Sequence, residues 1–271
     1  MTADAHIVAA HFLGTRLNPC TNAAAVDFIF QNVKEGGRGH ICISNVDALT
    51  RARTSAPLRN IFSAALLVLM DGMPLVWAMR IKGIAPIERN YGPEFMLLVC
   101  QKAAQLGTPI FLYGGMPDEL AMLLATLAKK MPRLLVAGAV SPPRLPACPP
   151  EDIDICGQIN RSGARIVFIG LGCPKQEFWM GANSEKINAI CLGVGLAFAQ
   201  NAGMVKRAPA LLQRFGMEWL FRLVQEPRRL WRRYLVGNTV FLIYVFTDLM
   251  RAASQRAMLF LSPKNAGKGK E

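Results

Sequence analysis

Six short runs recur along the chain, each apolar at consecutive positions: His40–Ser44 (HICIS), Leu66–Met70 (LLVLM), Pro109–Tyr113 (PIFLY), Leu134–Gly138 (LLVAG), Arg165–Ile169 (RIVFI) and Asn188–Leu192 (NAICL). Stretches of helical character lie between them, including Pro93–Leu106, Asp118–Lys130 and Pro174–Ala182. A strand that is apolar on both faces must be covered on both faces, and helical crossovers between such strands build a buried parallel sheet. The pattern predicts an α/β domain, a doubly wound, Rossmann-like and mostly parallel sheet, extending to about residue 203. A hairpin is expected before it, near residues 6–17.

Charge divides the chain. Residues 1–203 carry 18 basic and 14 acidic groups, whereas residues 204–271 carry 13 basic and 4 acidic groups. The last quarter therefore holds most of the net charge of +13 and reads as a separate helical appendage, broken at Pro227 and ending in a Lys/Gly-rich tail. Within it, residues 206–233 interleave eight Lys/Arg with Phe215, Trp219, Phe221 and Trp231. Leu212, Phe215, Trp219 and Leu223 fall at helical spacing. Such a unit suits an anionic membrane surface, or a pyrophosphate held by guanidinium forks. A solvated basic face is the plainer alternative. Nucleic acid is disfavoured, because 52% of the residues are hydrophobic and no reader motif is present.

A membrane-spanning helix needs about 18 or more consecutive apolar residues. Ile61–Met70 stops at Asp71-Gly72, and Leu235–Thr247 is interrupted by Gly237-Asn238-Thr239. The second run suits one leaflet or a partner surface. The seven cysteines are spread evenly without a Cys-x-x-Cys pair, and the only histidines are His6, His11 and His40. Neither a zinc cluster nor a disulfide framework is expected, which points to a reducing, cytosolic compartment. The first residues lack the basic and apolar regions of a secretory signal.

In an open parallel sheet, ligands bind beyond the carboxyl ends of the strands. Those ends run into Ser44-Asn45, Asp71-Gly72, Gly114-Gly115, Gly170-Leu171-Gly172 and Gly193-Val194-Gly195. Glycine at four of the five junctions lets backbone N–H groups approach a phosphate; tight turns alone would also favour it. The dinucleotide fingerprint is incomplete, since Gly170-x-Gly172 meets Lys175 and Gly193-x-Gly195 meets Phe198, and a P-loop is absent. Asp71 is either a general base at a strand end or the N-cap of the next helix. Ser44 and Asn45 can face sugar hydroxyls or serve as capping groups. Asp152-Ile153-Asp154 matches an Asp-x-Asp metal pattern, but its place after a Pro-rich loop favours helix N-terminal charge instead.

Taken together, Asp71-Gly72-Met73-Pro74, the block Gly170 to Glu177 (GLGCPKQE), and the series Lys206 to Pro209, Glu218 to Arg222 and Glu226 to Tyr234 resemble the WecG/TagA/CpsF glycosyltransferase family over roughly residues 5–235. The resemblance implies an inverting, metal-independent enzyme of bacterial cell-surface polysaccharide or exopolysaccharide synthesis, peripheral on the cytoplasmic face of the inner membrane. It moves a sugar from a UDP-sugar to a polyprenyl-diphosphate-linked saccharide, needs no cofactor, and is compatible with a homo-oligomer. Asp71 becomes the base, and Ser44 and Asn45 border the donor sugar. Lys175, Gln176 and Glu177 border the nucleotide, with Gly114, Gly115, Gly170, Gly172 and Gly195 along the same edge. Arg222, Arg229 and Arg232 are implied to close over the site and stabilise the leaving diphosphate. A non-catalytic UDP-sugar-binding scaffold is the alternative. The chain departs from the family at Phe198-Ala199, where a carboxylate is usual, and at Arg89-Asn90-Tyr91, where Tyr91 replaces a small hydroxyl. N-acetylmannosamine, its uronic acid and glucose all fit as donor sugars, and Tyr91 favours glucose.

Overall fold

The computed structural model describes residues 7–228, 231, 237, 239, 241, 243–247 and 250. It opens with an antiparallel hairpin, β1 (Ala10–Phe12) and β2 (Thr15–Leu17), inside the stretch where one was expected. The chain then alternates: α1 (Asn22–Lys34), β3 (Gly39–Ser44), α2 (Val46–Thr54), α3 (Ala56–Ala64), β4 (Leu67–Met70), α4 (Met73–Ile81) and α5 (Gly92–Leu106). It continues with β5 (Ile110–Gly114), α6 (Pro117–Lys130), β6 (Val136–Val140), α7 (Ile153–Arg161), β7 (Ile166–Gly170), α8 (Lys175–Asn183), β8 (Ile190–Gly193) and α9 (Ala197–Asn201). Two short helices, α10 (Ala210–Arg214) and α11 (Glu218–Gln225), follow.

Strands β3 to β8 form one parallel sheet in the order β4-β3-β8-β7-β5-β6. Alternation of side chains across the pleat splits the interior into two cores. Ile41, Leu69, Leu112, Phe168 and Leu192 face α1, α5, α6 and α9. Cys42, Val68, Tyr113, Val167 and Cys191 face α2, α3, α4, α7 and α8. This is the Rossmann-like, doubly wound architecture that strands apolar on both faces require. The other strand ends of the sheet move by one residue or less, apart from the start of β8, which moves by two, whereas the edge strand β6 slides by two residues at both ends, from 134–138 to Val136–Val140. All five of its residues are only half-buried, so burial holds its limits loosely. A slide of two residues also leaves every side chain on its original face.

The described residues of the run 235–247 show an arrangement beyond the two anticipated for it. Phe241 is buried in the core, its ring 6.0 Å from that of Phe12, and the Arg53 guanidinium lies 3.7 Å from the centre of the Tyr244 ring. Tyr244 and Val245 pack on the domain, while Ile243 and Phe246 face outward. Among the described residues, no helix is long and apolar enough to cross a membrane.

Candidate active site

Strand β4 delivers Asp71 to the carboxyl edge of the sheet, where its backbone N–H donates to the Ser44 carbonyl at 2.8 Å. The carboxylate does not cap α4. Gly72 occupies the N-cap, and no side chain bonds there. Instead, Arg89 Nε donates to Asp71 Oδ1 at 2.8 Å. Asn90 fixes Arg89 in place by extending the end of β4. Its N–H donates to the Met70 carbonyl at 2.8 Å, and its Oδ1 accepts from Met70 N at 3.2 Å. Asn90 Nδ2 in turn donates to Asn22 Oδ1 at 3.0 Å, anchoring the turn to α1.

A second carboxylate reaches Arg89 from the C-terminal helices: Glu218, first residue of α11, places Oε2 2.8 Å from Arg89 Nη2. The Arg89 guanidinium lies 4.3 Å from the centre of the Tyr91 ring, whose hydroxyl donates to Gln200 Oε1 at 2.5 Å. Arg207 contacts the same ring at 5.0 Å and pairs with Glu94 at 2.5 Å. The proton affinity of Asp71 is raised, first by its surroundings of protein and then by the Glu218 charge, against the opposing pull of Arg89 and Arg222. Yet 23% of its side chain remains exposed, enough for a substrate hydroxyl to reach.

Beside β4, strand β3 joins this corner to β8 and β7. Gln176 and Glu177 are buried beneath the loops that follow those two strands. Gln176 Nε2 donates to Glu177 Oε1 at 3.0 Å, and burial pushes the Glu177 carboxyl upward. Gln176 Oε1 and the buried Ser44 Oγ have no hydrogen-bond partner among the described residues. The two loops meet over Gln176, since a Cβ on Gly195 would sit 3.4 Å from its Oε1 and 3.8 Å from the Gly172 Cα.

Other anticipated groups serve the fold. Lys175 Nζ donates to the Leu145 carbonyl at 2.8 Å, tying down the Pro-rich loop. Asn45 caps α2, accepting from Ala48 N at 3.0 Å, and Asp152 caps α7, accepting from Ile155 N at 3.1 Å. Gly114 and Gly170 answer to close packing: a Cβ on Gly170 would lie 2.6 Å from the Phe198 ring, and one on Gly114 would lie 2.6 Å from the Gly170 carbonyl carbon. Gly115 N donates to the Gly170 carbonyl at 3.1 Å. Of the three appendage arginines, Arg222 is close enough to act on Asp71, whereas Arg229 and Arg232 lie outside the described residues. Among the described residues, no group of three His, Cys, Asp or Glu side chains could hold a metal ion.

Sequence reasoning passed over the roles of Arg89 and Glu218. The signals were an Arg-Asn pair just before the helix-starting Gly92-Pro93, and an acid at the head of an apolar helix within a basic stretch. An acid set in a basic, apolar stretch needs a partner, and the fold supplies one from 129 positions earlier.

The carboxyl edge of this Rossmann-like parallel sheet thus gathers a carboxylate, guanidinium groups and buried amide and hydroxyl oxygens. The chain belongs to the WecG/TagA/CpsF family of glycosyl transferases, whose model matches residues 10–255. This family serves cell-surface polysaccharide synthesis, with a sugar-nucleotide donor and a lipid-linked acceptor in general.

Proposed function

We propose that the protein is an inverting transferase that moves a sugar from a UDP-sugar to a saccharide on a polyprenyl diphosphate, without a required metal. The observation that carries this reading is Asp71: held at a strand end by Arg89, free of capping duty, and partly exposed. In the proposed step, Asp71 takes the proton of an acceptor hydroxyl. The freed oxygen attacks the anomeric carbon on the face opposite the nucleotide, and the bond to the diphosphate breaks with UDP carrying away its electron pair. Arg222, joined by Arg229 and Arg232, offsets the charge that develops on the diphosphate. Gln176 and Ser44 offer acceptors for donor hydroxyls or the nucleotide.

Residues 204–271 act in this reading as the unit that closes the site and meets the membrane on its cytoplasmic face. Leu211, Phe215, Val224, Ile243, Phe246 and Met250 each expose more than half of their surface, and the segment is strongly basic. That combination favours an anionic lipid surface over an aqueous one. Tyr91, buried under Arg89, takes up space beside Asp71 and favours a donor without an N-acetyl group, such as glucose.

The test is product analysis with a panel of UDP-sugars and a short-chain lipid-diphosphate saccharide. Transfer of one sugar with inverted anomeric configuration is expected. Donor binding without transfer or hydrolysis, on every acceptor tried, would establish the scaffold instead.

A further inference from the structure

Asp71, Arg89 and Glu218 form a chain of three charges joining two parts of the molecule. Asp71 belongs to the end of β4, Arg89 to the stretch between α4 and α5, and Glu218 to the first turn of α11. The guanidinium uses Nε for Asp71 and Nη2 for Glu218, each at 2.8 Å. One cation is thus shared between two carboxylates. Glu218 is itself buried, unusual for a residue on a short, exposed and basic segment. Its burial at the head of α11, 17% exposure of the Arg89 side chain and stacking of Arg89 on Tyr91 leave the guanidinium little freedom to turn elsewhere.

Consider Arg89 with Asp71 alone. A full ion pair would hold the carboxylate in its charged form and make it a poor proton acceptor, because an opposite charge within about 4–6 Å favours ionisation. A second carboxylate on the same guanidinium offsets that cation and repels the charge on Asp71. The base is then held in position by a hydrogen bond without losing its affinity for a proton.

We propose that Glu218 is a positioning residue through which the seated helix α11 sets the basicity of Asp71, so that docking of the C-terminal helices enables proton abstraction. The effect passes through Arg89, and Glu218 need not touch substrate. This role differs from offsetting charge on the leaving group, which falls to arginines. It rests on the reading of Asp71 as the base, given above. Among the described residues, the charged and titratable groups facing Asp71 are Arg89 and Tyr91 from the stretch before α5, and Glu218 and Arg222 from α11. Glu218 is the only acid among these four neighbours, so its removal leaves the two arginines unopposed.

The experiment follows the Asp71 carboxyl carbon by NMR titration of the full-length protein labelled at aspartate, assigned by the signal missing in Asp71→Asn. The pH profile of kcat/KM is recorded alongside. In Glu218→Gln, Asp71 is expected to titrate at lower pH than in the unaltered protein, and the acidic limb of the profile moves down with it. Glu218→Asp keeps the charge and is expected to return both toward their original positions. An unchanged titration in Glu218→Gln would overturn the proposal. So would equal displacement by Gln and Asp, which would show that packing of the longer side chain matters rather than its charge. The titration reads out without turnover. Failure of the transferase reading would appear as absent product while the Asp71 signal still decides the role of Glu218.

Discussion

Asp71 is held between opposing pressures: burial and Glu218 raise its proton affinity, and Arg89 and Arg222 lower it. The first pair prevails. A base works only when ionised, so activity falls as pH drops through its pKa. Because that pKa is raised, kcat/KM is expected to begin its acidic fall above the ordinary aspartate value of about 3.9. A limb at or below that value would remove Asp71 as the group that titrates. At this scale the sequence was a partial guide. Asp71 could be placed at a strand end, but base and helix cap were equally open, because Asp-Gly before a Pro-containing turn fits either. The cap falls to Gly72 and the carboxylate accepts from Arg89 instead, which removes the cap reading. For Asn45 the capping role is present, its side-chain oxygen accepting from Ala48 N.

At the scale of elements, the parallel sheet was legible because burial on both faces leaves a continuous apolar signature. The central strands begin and end within a residue or two of expectation. The edge strand β6 was less so, since its half-buried residues do not mark its ends. The glycine-rich junctions were legible only in part. Local sequence shows that a side chain is missing but not what fills the space. At Gly170 it is the Phe198 ring, which arrives from α9, beyond the next helix and strand. The Arg89–Glu218 pair was illegible for a related reason: nothing local reports a contact between a loop before α5 and a helix near the chain's end. The docking of Phe241 on Phe12 belongs with it.

Across the whole molecule, charge and apolar surface gather in the same C-terminal segment, and the proposed lipid-linked acceptor would approach from that side. Leu211 and Phe215 each leave 64% of their surface exposed, so the fold gains little from them. Burying such side chains in an apolar phase is worth about 1.5–3 kcal/mol each. Leu211→Ser with Phe215→Ser is expected to lower retention on vesicles of anionic lipid at least tenfold while leaving Tm unchanged. Added salt should weaken the unaltered protein's binding as well, because surface attraction is screened within about 10 Å at 0.1 M. Retention indifferent to both changes would place the membrane contact elsewhere.

The proton step lies at the centre of the account, and removing the acid without altering its shape examines it most directly. With purified Asp71→Asn, a UDP-sugar and a lipid-diphosphate saccharide, binding of the donor should match that of the unaltered protein. Transfer should fall by about 10²–10⁴-fold, the usual contribution of a positioned general base. Turnover at the original rate in that variant would contradict the assignment.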